Sequence, residues 1–334
     1  MDKNDKQGTM LDRLWASLDE CREAVKEGRD VSLEELSKTL IPVYHKMSGL
    51  ISTGSPESKS FAVKVMGRIC GYIPFLASDK GSNNITPVGL LTLSYMPDPP
   101  IPKEFSFAHA PYDELWSLYG TGLCELNDLD ASEKALTEAL KWNPIHIDSM
   151  LELACVRQQK KDIAGSMELY SKVLGIAHTN ADIARAYRGI GFSMVEKKDY
   201  DTGVACYIFS RAYDDSRDND IEAEILTIED MSGKNYTKTS LDDVDLDWAI
   251  SQLKSAGIQV GMSDFMAAAT YTTVGLMDEP GGAAAVLGID NDDLYEMAML
   301  IQASEKAKEL YAAAVERYYD AKQKTKEDKT TADL

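Results

Sequence analysis

Bulky and small residues recur in a fixed order between residues 112 and 216, where the chain carries the same pattern three times. In each copy, a bulky residue is followed four positions later by a small one and twenty positions later by a second large side chain. The copies start at positions 116, 150 and 187, which are 34 and 37 residues apart. A period of this length predicts stacked helix pairs, whose small residues let two backbones approach closely. A second small residue lies four positions before the last large one in each copy. The three sets are Trp116, Gly120, Ser132 and Leu136; Met150, Ala154, Ser166 and Tyr170; and Tyr187, Gly191, Gly203 and Tyr207.

This pattern resembles the tetratricopeptide repeat (TPR) family over about a third of the chain. The three repeats would lie at about 113–146, 147–180 and 184–217. The first fits best, since it has Trp116, Gly120, Leu136, Ala139 and the closing Pro144, whereas His178 and Asp215 replace that proline in the other two. The resemblance implies a right-handed helical-repeat fold, a TPR-like α-solenoid. The alternative is an irregular helical bundle in which the spacing is accidental.

Apolar residues at helical spacing predict three helices ahead of the repeats, which would form an N-terminal helical cap over residues 1–72. The first helix is expected to follow a disordered segment, residues 1–8, and to have Thr9 as its N-cap. Pro42 falls within the second helix and should kink or split it. Ser55 precedes a proline and should cap the third helix. The predicted inward face of that helix consists of Phe61, Val65, Ile69 and Tyr72.

Residues 73–111 have a different composition, because seven of the eleven prolines of the chain lie there. Proline excludes helix over most of this segment. Its apolar residues, such as Leu90 and Tyr95, are too many for a free linker. We therefore predict a Pro-rich strap that lies on the helices. The alternative is a packed connector without a role in binding, and whether the strap occupies a groove of the repeats stays open.

Residues 218–322 continue with helical patterns, and the last of these is one long helix from Asn291 to about Lys322. The spacing departs from the earlier period, so the existence of a fourth repeat stays open. These helices are predicted to cover the last repeat as a C-terminal cap. Residues 323–334 are expected to be a disordered tail. The expected fold class is all-α, a right-handed helical-repeat fold with helical caps at both ends.

The charge of the chain restricts its partners. It carries 55 acidic and 35 basic residues, a net charge of −20, which argues against binding nucleic acid or an anionic membrane. The first ten residues lack the pattern of a secretion signal, and no uncharged apolar run of 18 residues predicts a membrane span. Five cysteines without a Cys-x-x-Cys pair suit a reducing compartment, so a cytoplasmic location is predicted.

Motifs for catalysis are missing from the sequence. The four histidines are far apart, so no metal site is expected, and no phosphate-binding loop or Gly-x-Ser-x-Gly motif occurs. Gly189 and Gly191 lack the third glycine and the preceding strand of a dinucleotide site, and helix packing explains them better. A polar cluster from His109 to Asp113 is the remaining catalytic candidate. We predict no enzymatic activity, no catalytic residues and no cofactor.

In the TPR family, the first helix of each repeat lines a concave groove that binds peptides. Transferring these positions to the present sequence selects seven partner-binding candidates: Leu118, Thr121, Glu152, Cys155, Arg185, Arg188 and Phe192. The neighbouring groove positions are Ser117, Cys124, Leu151, Gln158 and Gly189. Members that clamp the C-terminal carboxylate of heat-shock chaperones use Lys and Asn here. Ser117, Thr121 and Glu152 replace three of these residues, so the chaperone-clamping activity is not expected.

These positions predict a non-catalytic protein- or peptide-binding adaptor or scaffold, with Phe192 as an apolar anchor. The open alternative for Phe192 and Leu118 is contact with the strap or with the C-terminal helices. A function of a different class is an enzyme or small-ligand sensor whose pocket lies between the strap and the repeats. A third possibility is self-association through the groove or the long C-terminal helix.

Overall fold

The structure, a computed structural model, describes residues 3–29, 33–76, 82–83, 106–107, 111–177, 179–213, 221–236 and 246–261. The predictions for the long C-terminal helix, the tail and most of the strap lie outside these residues. The described part is helical apart from its turns and one parallel two-residue strand pairing. The all-α class is therefore confirmed.

The described chain divides into two compact units, the first ending at Asp162 and the second beginning at Ile163. The first unit contains α1 (Lys3–Lys26), α2 (Leu33–Thr53), α3 (Pro56–Cys70), α4 (Ile73–Leu76), β1 (Ser82–Asn83), β2 (Ser106–Phe107), α5 (Tyr112–Glu125), α6 (Leu129–Trp142) and α7 (Ile147–Gln159). The second unit contains α8 (Ile163–Ile176), α9 (Asn180–Glu196), α10 (Tyr200–Ser210), α11 (Ile221–Ser232) and α12 (Leu246–Ser255).

The core of the first unit lies between helices α1 to α4 and the first turns of α5. Leu14 and Leu18 of α1 are fully buried there, as the apolar stripe of that helix predicts. At the edge of this core, the Arg68 guanidinium stacks on the Trp15 ring, 3.9 Å from its centroid. The core residues contributed by the other helices are Leu36, Leu40, Val43, Met47, Ile51, Ala62, Val65, Met66, Ile69, Cys70, Tyr72, Ile73, Tyr112 and Leu115.

Three predictions for the N-terminal helices were wrong in whole or in part. Helix α1 begins at Lys3, so Thr9 lies inside it, because the polar residues before Thr9 include good helix formers. Helix α2 is continuous through Pro42, since Leu40 and Val43 on either side are anchored in the core. On α3, the Phe61 side chain is 43% exposed. The inward stripe of α3 instead follows the spacing of Ala62, Val65, Met66, Ile69 and Cys70.

The N-terminus of α3 forms as predicted. The Ser55 side chain accepts a hydrogen bond from the Ser58 backbone N–H at 3.4 Å, and Pro56 occupies the first helical position. Proline is favourable at this position because its φ is already helical and its missing N–H would have had no partner within the helix.

The small residues of the sequence pattern lie where two helices meet. A Cβ atom built on Gly120 of α5 would be 2.6 Å from the Leu136 Cγ of α6, and the Ser132 hydroxyl donates to the Gly120 carbonyl at 2.7 Å. Between α9 and α10, a Cβ atom on Gly191 would be 3.1 Å from the Gly203 carbonyl oxygen. Both helix pairs therefore approach at distances that only small side chains permit.

A turn with the same backbone geometry ends α5, α7 and α9. Its central residue has a positive φ of 61° to 65°, and the aspartate that follows donates its backbone N–H to the carbonyl five residues earlier, at 2.8 to 2.9 Å. These turns are 34 and 37 residues apart, like the side-chain pattern, but the sequence analysis missed them. The recurring aspartate was the available signal. The residues are Asn127 with Asp128, Lys161 with Asp162, and Lys198 with Asp199.

Helix α10 is the centre of the second unit. All its residues from Thr202 to Ser210 are buried, because α9, α11 and α12 pack around it. The Tyr187 hydroxyl of α9 donates to the Gln259 carbonyl at 2.7 Å, and the Gln259 side chain donates to the Leu174 carbonyl at 2.8 Å. The segment after α12 is thus held against α8 and α9.

The turn after α9 gives a stability prediction. Lys198 has a φ of 65°, which is unfavourable for a residue with a Cβ atom, so Lys198→Gly should stabilise the protein by about 0.5–1 kcal/mol. The neighbouring Lys197 has an ordinary φ of −80°, and Lys197→Gly should instead destabilise by about 0.5–1 kcal/mol. Thermal and urea unfolding of the three proteins would show this opposite pair of effects. A loss of stability in Lys198→Gly would contradict the argument from backbone strain.

Candidate binding surfaces

The first candidate surface lies on α5 and α7, which contact each other in the first unit. Its predicted residues Leu118, Thr121, Glu152 and Cys155 are all half-buried. Leu118 packs against the core formed with the N-terminal helices, so it supports that core more than it offers a surface to a partner. Among the four residues on this face, Thr121, Glu152 and Cys155 remain candidates for contact with a ligand.

Three neighbouring groove positions do not present a surface. Ser117, Leu151 and Gln158 are 5%, 1% and 8% exposed. Each lies next in sequence to a half-buried residue, and one residue turns a helix by about 100°, which is enough to move a side chain from an open face to a packed one. Three of the positions transferred by resemblance therefore carry side chains that face inward.

The α5/α7 face contains a polar cluster around two cysteines. The Gln159 Nε2 atom lies 3.6 Å from the Cys124 Sγ and 3.5 Å from the Cys155 Sγ. A hydrogen bond with the Cys155 thiol, followed by burial, raises the pKa of Cys124. Gln159 was not among the predicted residues. Its place one turn after Cys155 was the available signal.

The second candidate surface lies on α9, in the second unit. Arg185, Arg188 and Phe192 are spaced three and four residues apart, so they share one side of the helix. Both arginines are half-buried, and the Phe192 side chain is 38% exposed. The structure thus brings three of the predicted residues together on one helix face, with an exposed aromatic ring at its end.

Helix α8 packs against the backbone of α9 next to this face. A Cβ atom on Gly189 would lie 2.2 to 2.5 Å from ring atoms of Tyr170, so the ring is packed directly on the glycine backbone. The Ser193 hydroxyl donates to the Gly189 carbonyl at 3.0 Å and lies 3.2 Å from the Ser166 hydroxyl. Tyr170 is 4% exposed. The backbone that carries Phe192 is therefore firmly held.

A chain of polar side chains connects α2, α5 and the start of α7. Glu114 accepts hydrogen bonds from the Tyr44 hydroxyl at 3.1 Å and from His146 Nε2 at 3.2 Å. The His146 Nδ1 atom accepts the Ser149 backbone N–H at 3.2 Å and lies 2.8 Å from the Ser149 hydroxyl. This order of serine, histidine and carboxylate resembles a catalytic relay.

The environment of this chain favours a structural role. The Ser149 side chain is fully buried, so it has no access to a substrate, and His146 Nδ1 acts as the N-cap of α7. Burial lowers the pKa of His146, but the hydrogen bond and charge of Glu114 outweigh it, and the net shift is upward. The hydrogen bond from His146 in turn lowers the pKa of Glu114. The pair is therefore a tether between α5 and α7 whose hydrogen bond becomes an ion pair when His146 is protonated.

The predicted polar cluster at the start of α5 is only partly described. Asp113 is 5% exposed and accepts a hydrogen bond from the Asn143 side chain at 3.0 Å, while His109 lies outside the described residues. The carboxylate of Asp113 is thus engaged in joining α5 to the end of α6.

An open depression of about 610 Å³ lies along α6. Its charges neutralise one another, since the Lys160 Nζ contacts Asp130 at 2.6 Å and Glu133 at 2.7 Å. Exposed ion pairs of this kind contribute little to stability. The remaining lining residues are Lys134, Thr137, Glu138 and Lys141. Acidic and basic groups alternate in this depression, so it selects neither an anion nor a cation.

Neither a metal site nor a membrane-spanning helix occurs in the described ranges. No group of three His, Cys, Asp or Glu side chains in them has an arrangement that could hold a metal ion. None of the helices in the described part of the chain combines the length and the apolar character needed to cross a membrane.

No protein-family model matches the sequence, and no curated protein matches it either.

The packing of Tyr170 on Gly189 gives a second prediction. Gly189→Ala places a methyl group inside the Tyr170 ring and should destabilise the second unit by about 2–3 kcal/mol, since the core must move to accept it. Gly175→Ala is the matched control in α8, because its Cβ atom meets nothing within 4 Å and alanine favours helix. Hydrogen exchange of peptides from α8 and α9 would report the difference. Equal exchange in both variants would contradict the packing argument.

The tether between Glu114 and His146 gives a third prediction, a dependence of stability on pH. The pKa of Glu114 is lowered from 4.5, so its contribution is lost as the solution is acidified. The pKa of His146 is raised above 6.5, so its contribution is lost as the pH rises through that higher value. Glu114→Gln should therefore lower the free energy of unfolding most between pH 4.5 and 6.5, by about 1 kcal/mol, and lower it less at pH 8.5.

Urea unfolding followed by tryptophan fluorescence at several pH values would test this dependence. Glu125→Gln is the control, because Glu125 lies on the same helix but pairs with Lys59, at 2.5 Å, instead of a histidine. Its effect should be nearly constant between pH 5.5 and 8.5. A constant effect of Glu114→Gln over the same range would show that the tether is not charged.

Proposed function

We propose that the protein is a non-catalytic adaptor of TPR-like type that binds a protein or peptide segment. The observation that carries this proposal is the face of α9, where the partly exposed Phe192 follows Arg185 and Arg188 along one side of the helix. The close helix crossings and the turns repeated at 34 and 37 residues support the TPR-like part of the proposal.

The α9 face has the composition of an interaction hot spot. Aromatic and arginine side chains dominate the binding energy of protein interfaces, especially where the underlying structure is rigid. Here the contacts of Gly189 with Tyr170, and of Ser193 with Ser166, hold the helix backbone in place. Ordering this surface on binding would therefore cost little conformational entropy.

The chemistry of this face defines the segment that it would accept. The ring of Phe192 suits an apolar or aromatic side chain. The two arginines lie four and seven residues before Phe192, so they suit a carboxylate about 6–10 Å from that side chain along the helix axis. The net charge of −20 repels strongly acidic proteins at long range. A partner fits best if its bound segment contains one acidic residue and the surface around that segment is basic.

The alternative function, an enzyme or small-ligand sensor, places its pocket against the strap. Most residues of the strap lie outside the described ranges. The serine, histidine and glutamate of the first unit do not favour this alternative, because the serine hydroxyl is buried beneath the helix cap.

The fourth prediction tests the α9 face by comparing three forms of the full chain in affinity capture from a lysate of the source cells. The double variant Arg188→Glu, Phe192→Ala should lose a partner that the wild type retains. Phe61→Ala should keep it, because Phe61 is similarly exposed, at 43%, but lies on α3. In addition to these three forms, Phe192→Ala alone should weaken the affinity for the captured partner about 30-fold, equivalent to about 2 kcal/mol.

Unfolding temperatures of the variants would first be matched to the wild type, so that loss of binding is separated from loss of fold. Quantitative mass spectrometry of the captured proteins then gives the comparison. Identical partners on all three forms would refute the assignment of the α9 face. A partner lost equally in the Phe61→Ala variant would show that exposed aromatic rings bind without selectivity.

A further inference from the structure

Two cysteines from different helices lie together on the α5/α7 face. Cys124 is near the end of α5 and Cys155 is in the middle of α7. All five cysteines of the chain are thiols in the structure, with Cys70 and Cys206 buried and Cys21, Cys124 and Cys155 half-buried. Cys124 and Cys155 thus combine partial access to solvent with the proximity of a second thiol.

Gln159 defines the geometry of this pair. Its Nε2 atom contacts both sulfur atoms, at 3.6 Å for Cys124 and 3.5 Å for Cys155, so the two sulfurs lie on the same amide group. Cys155 and Gln159 are one helical turn apart, so the amide reaches both sulfurs from a fixed position on α7. An amide N–H that points at two sulfurs also stabilises negative charge on either of them.

We propose that Cys124 and Cys155 form a dithiol that exchanges with a small-molecule disulfide and closes a reversible disulfide bond between α5 and α7. This site is a covalent modification site on the face that the α9 proposal does not use. It therefore stands or fails independently of the proposed partner.

The exchange has two steps. In the first, the Cys155 thiolate attacks one sulfur of the small-molecule disulfide, forms a mixed disulfide and releases one thiolate. In the second, the sulfur of Cys124 loses its proton to water or buffer and attacks the Cys155 sulfur, which releases the second small thiolate. Two protein thiols are oxidised, the small disulfide is reduced to two thiols, and the electrons and protons balance.

The roles of the two cysteines follow from their surroundings. The thiol of Cys155, then burial, and then the charges of Cys155 and Glu152 all raise the pKa of Cys124, while the amide of Gln159 opposes them. The raised pKa of Cys124 suits the resolving role, which leaves Cys155 as the first nucleophile. In the second step the bond between the Cys155 sulfur and the sulfur of the small molecule breaks, and the small thiolate is a good leaving group.

The fifth prediction concerns the reaction of the reduced full chain with oxidised glutathione. Intact mass spectrometry of the wild type should show a product lighter by about 2 Da, with no glutathione retained on this pair. Peptide mapping without reduction should show a peptide that contains Cys124 joined to one that contains Cys155. Dithiothreitol should return the original mass.

Three variants separate this site from general thiol reactivity. Cys124→Ser should retain one glutathione on Cys155, because no resolving thiol remains. Cys155→Ser should give no disulfide bond between α5 and α7, and glutathione should add more slowly at Cys124. Cys21→Ser removes the other half-buried thiol and should still form the bond between Cys124 and Cys155 at the wild-type rate.

Two results would overturn the proposal. One is a wild-type product that retains glutathione on Cys124 or Cys155 at completion, which would mean that the two sulfurs do not reach each other. The other is a disulfide that involves a different pair of cysteines. Circular dichroism of each variant before oxidation would confirm that the helices are intact.

Discussion

The structure depends on helices that approach one another more closely than ordinary side chains allow. Gly120 accepts the Leu136 side chain of the next helix, and Gly189 accepts the ring of Tyr170. At both places, even a methyl group would occupy space that a neighbouring side chain already fills. Close packing of this kind fixes where each helix lies and therefore which side chains face solvent.

Both candidate surfaces are consequences of this packing. On α9, the backbone is held at Gly189 and Ser193, so Phe192 is presented from a rigid helix instead of a flexible loop. On α5 and α7, the tether between Glu114 and His146 joins the two helices near one end. The thiols of Cys124 and Cys155 both contact Gln159 toward the other end of the same interface, where α5 finishes. Interactions that stabilise the helix pairs thus also place the groups available for binding and chemistry.

The helices themselves were largely predictable, because apolar spacing and helix caps are local properties. The errors came where several local patterns competed. On α3, Val65 and Ile69 face the core as the predicted stripe requires, but Ala62 and Met66 complete that stripe and Phe61 remains exposed. The candidate surfaces show the same limit. Gln159 and Glu114 were missed because their partners come from other helices.

The sequence by itself determined the all-α class and the register of small residues, since these follow from short-range spacing and backbone preference. It also placed Phe192 and the two arginines on one side of a helix. Only the tertiary structure decided that Leu118, Ser117 and Leu151 face inward, that a histidine caps α7 while paired with a distant glutamate, and that two cysteines 31 positions apart (124 to 155) share one amide. These facts depend on which helices become neighbours, and that choice is made by the packing of the whole core.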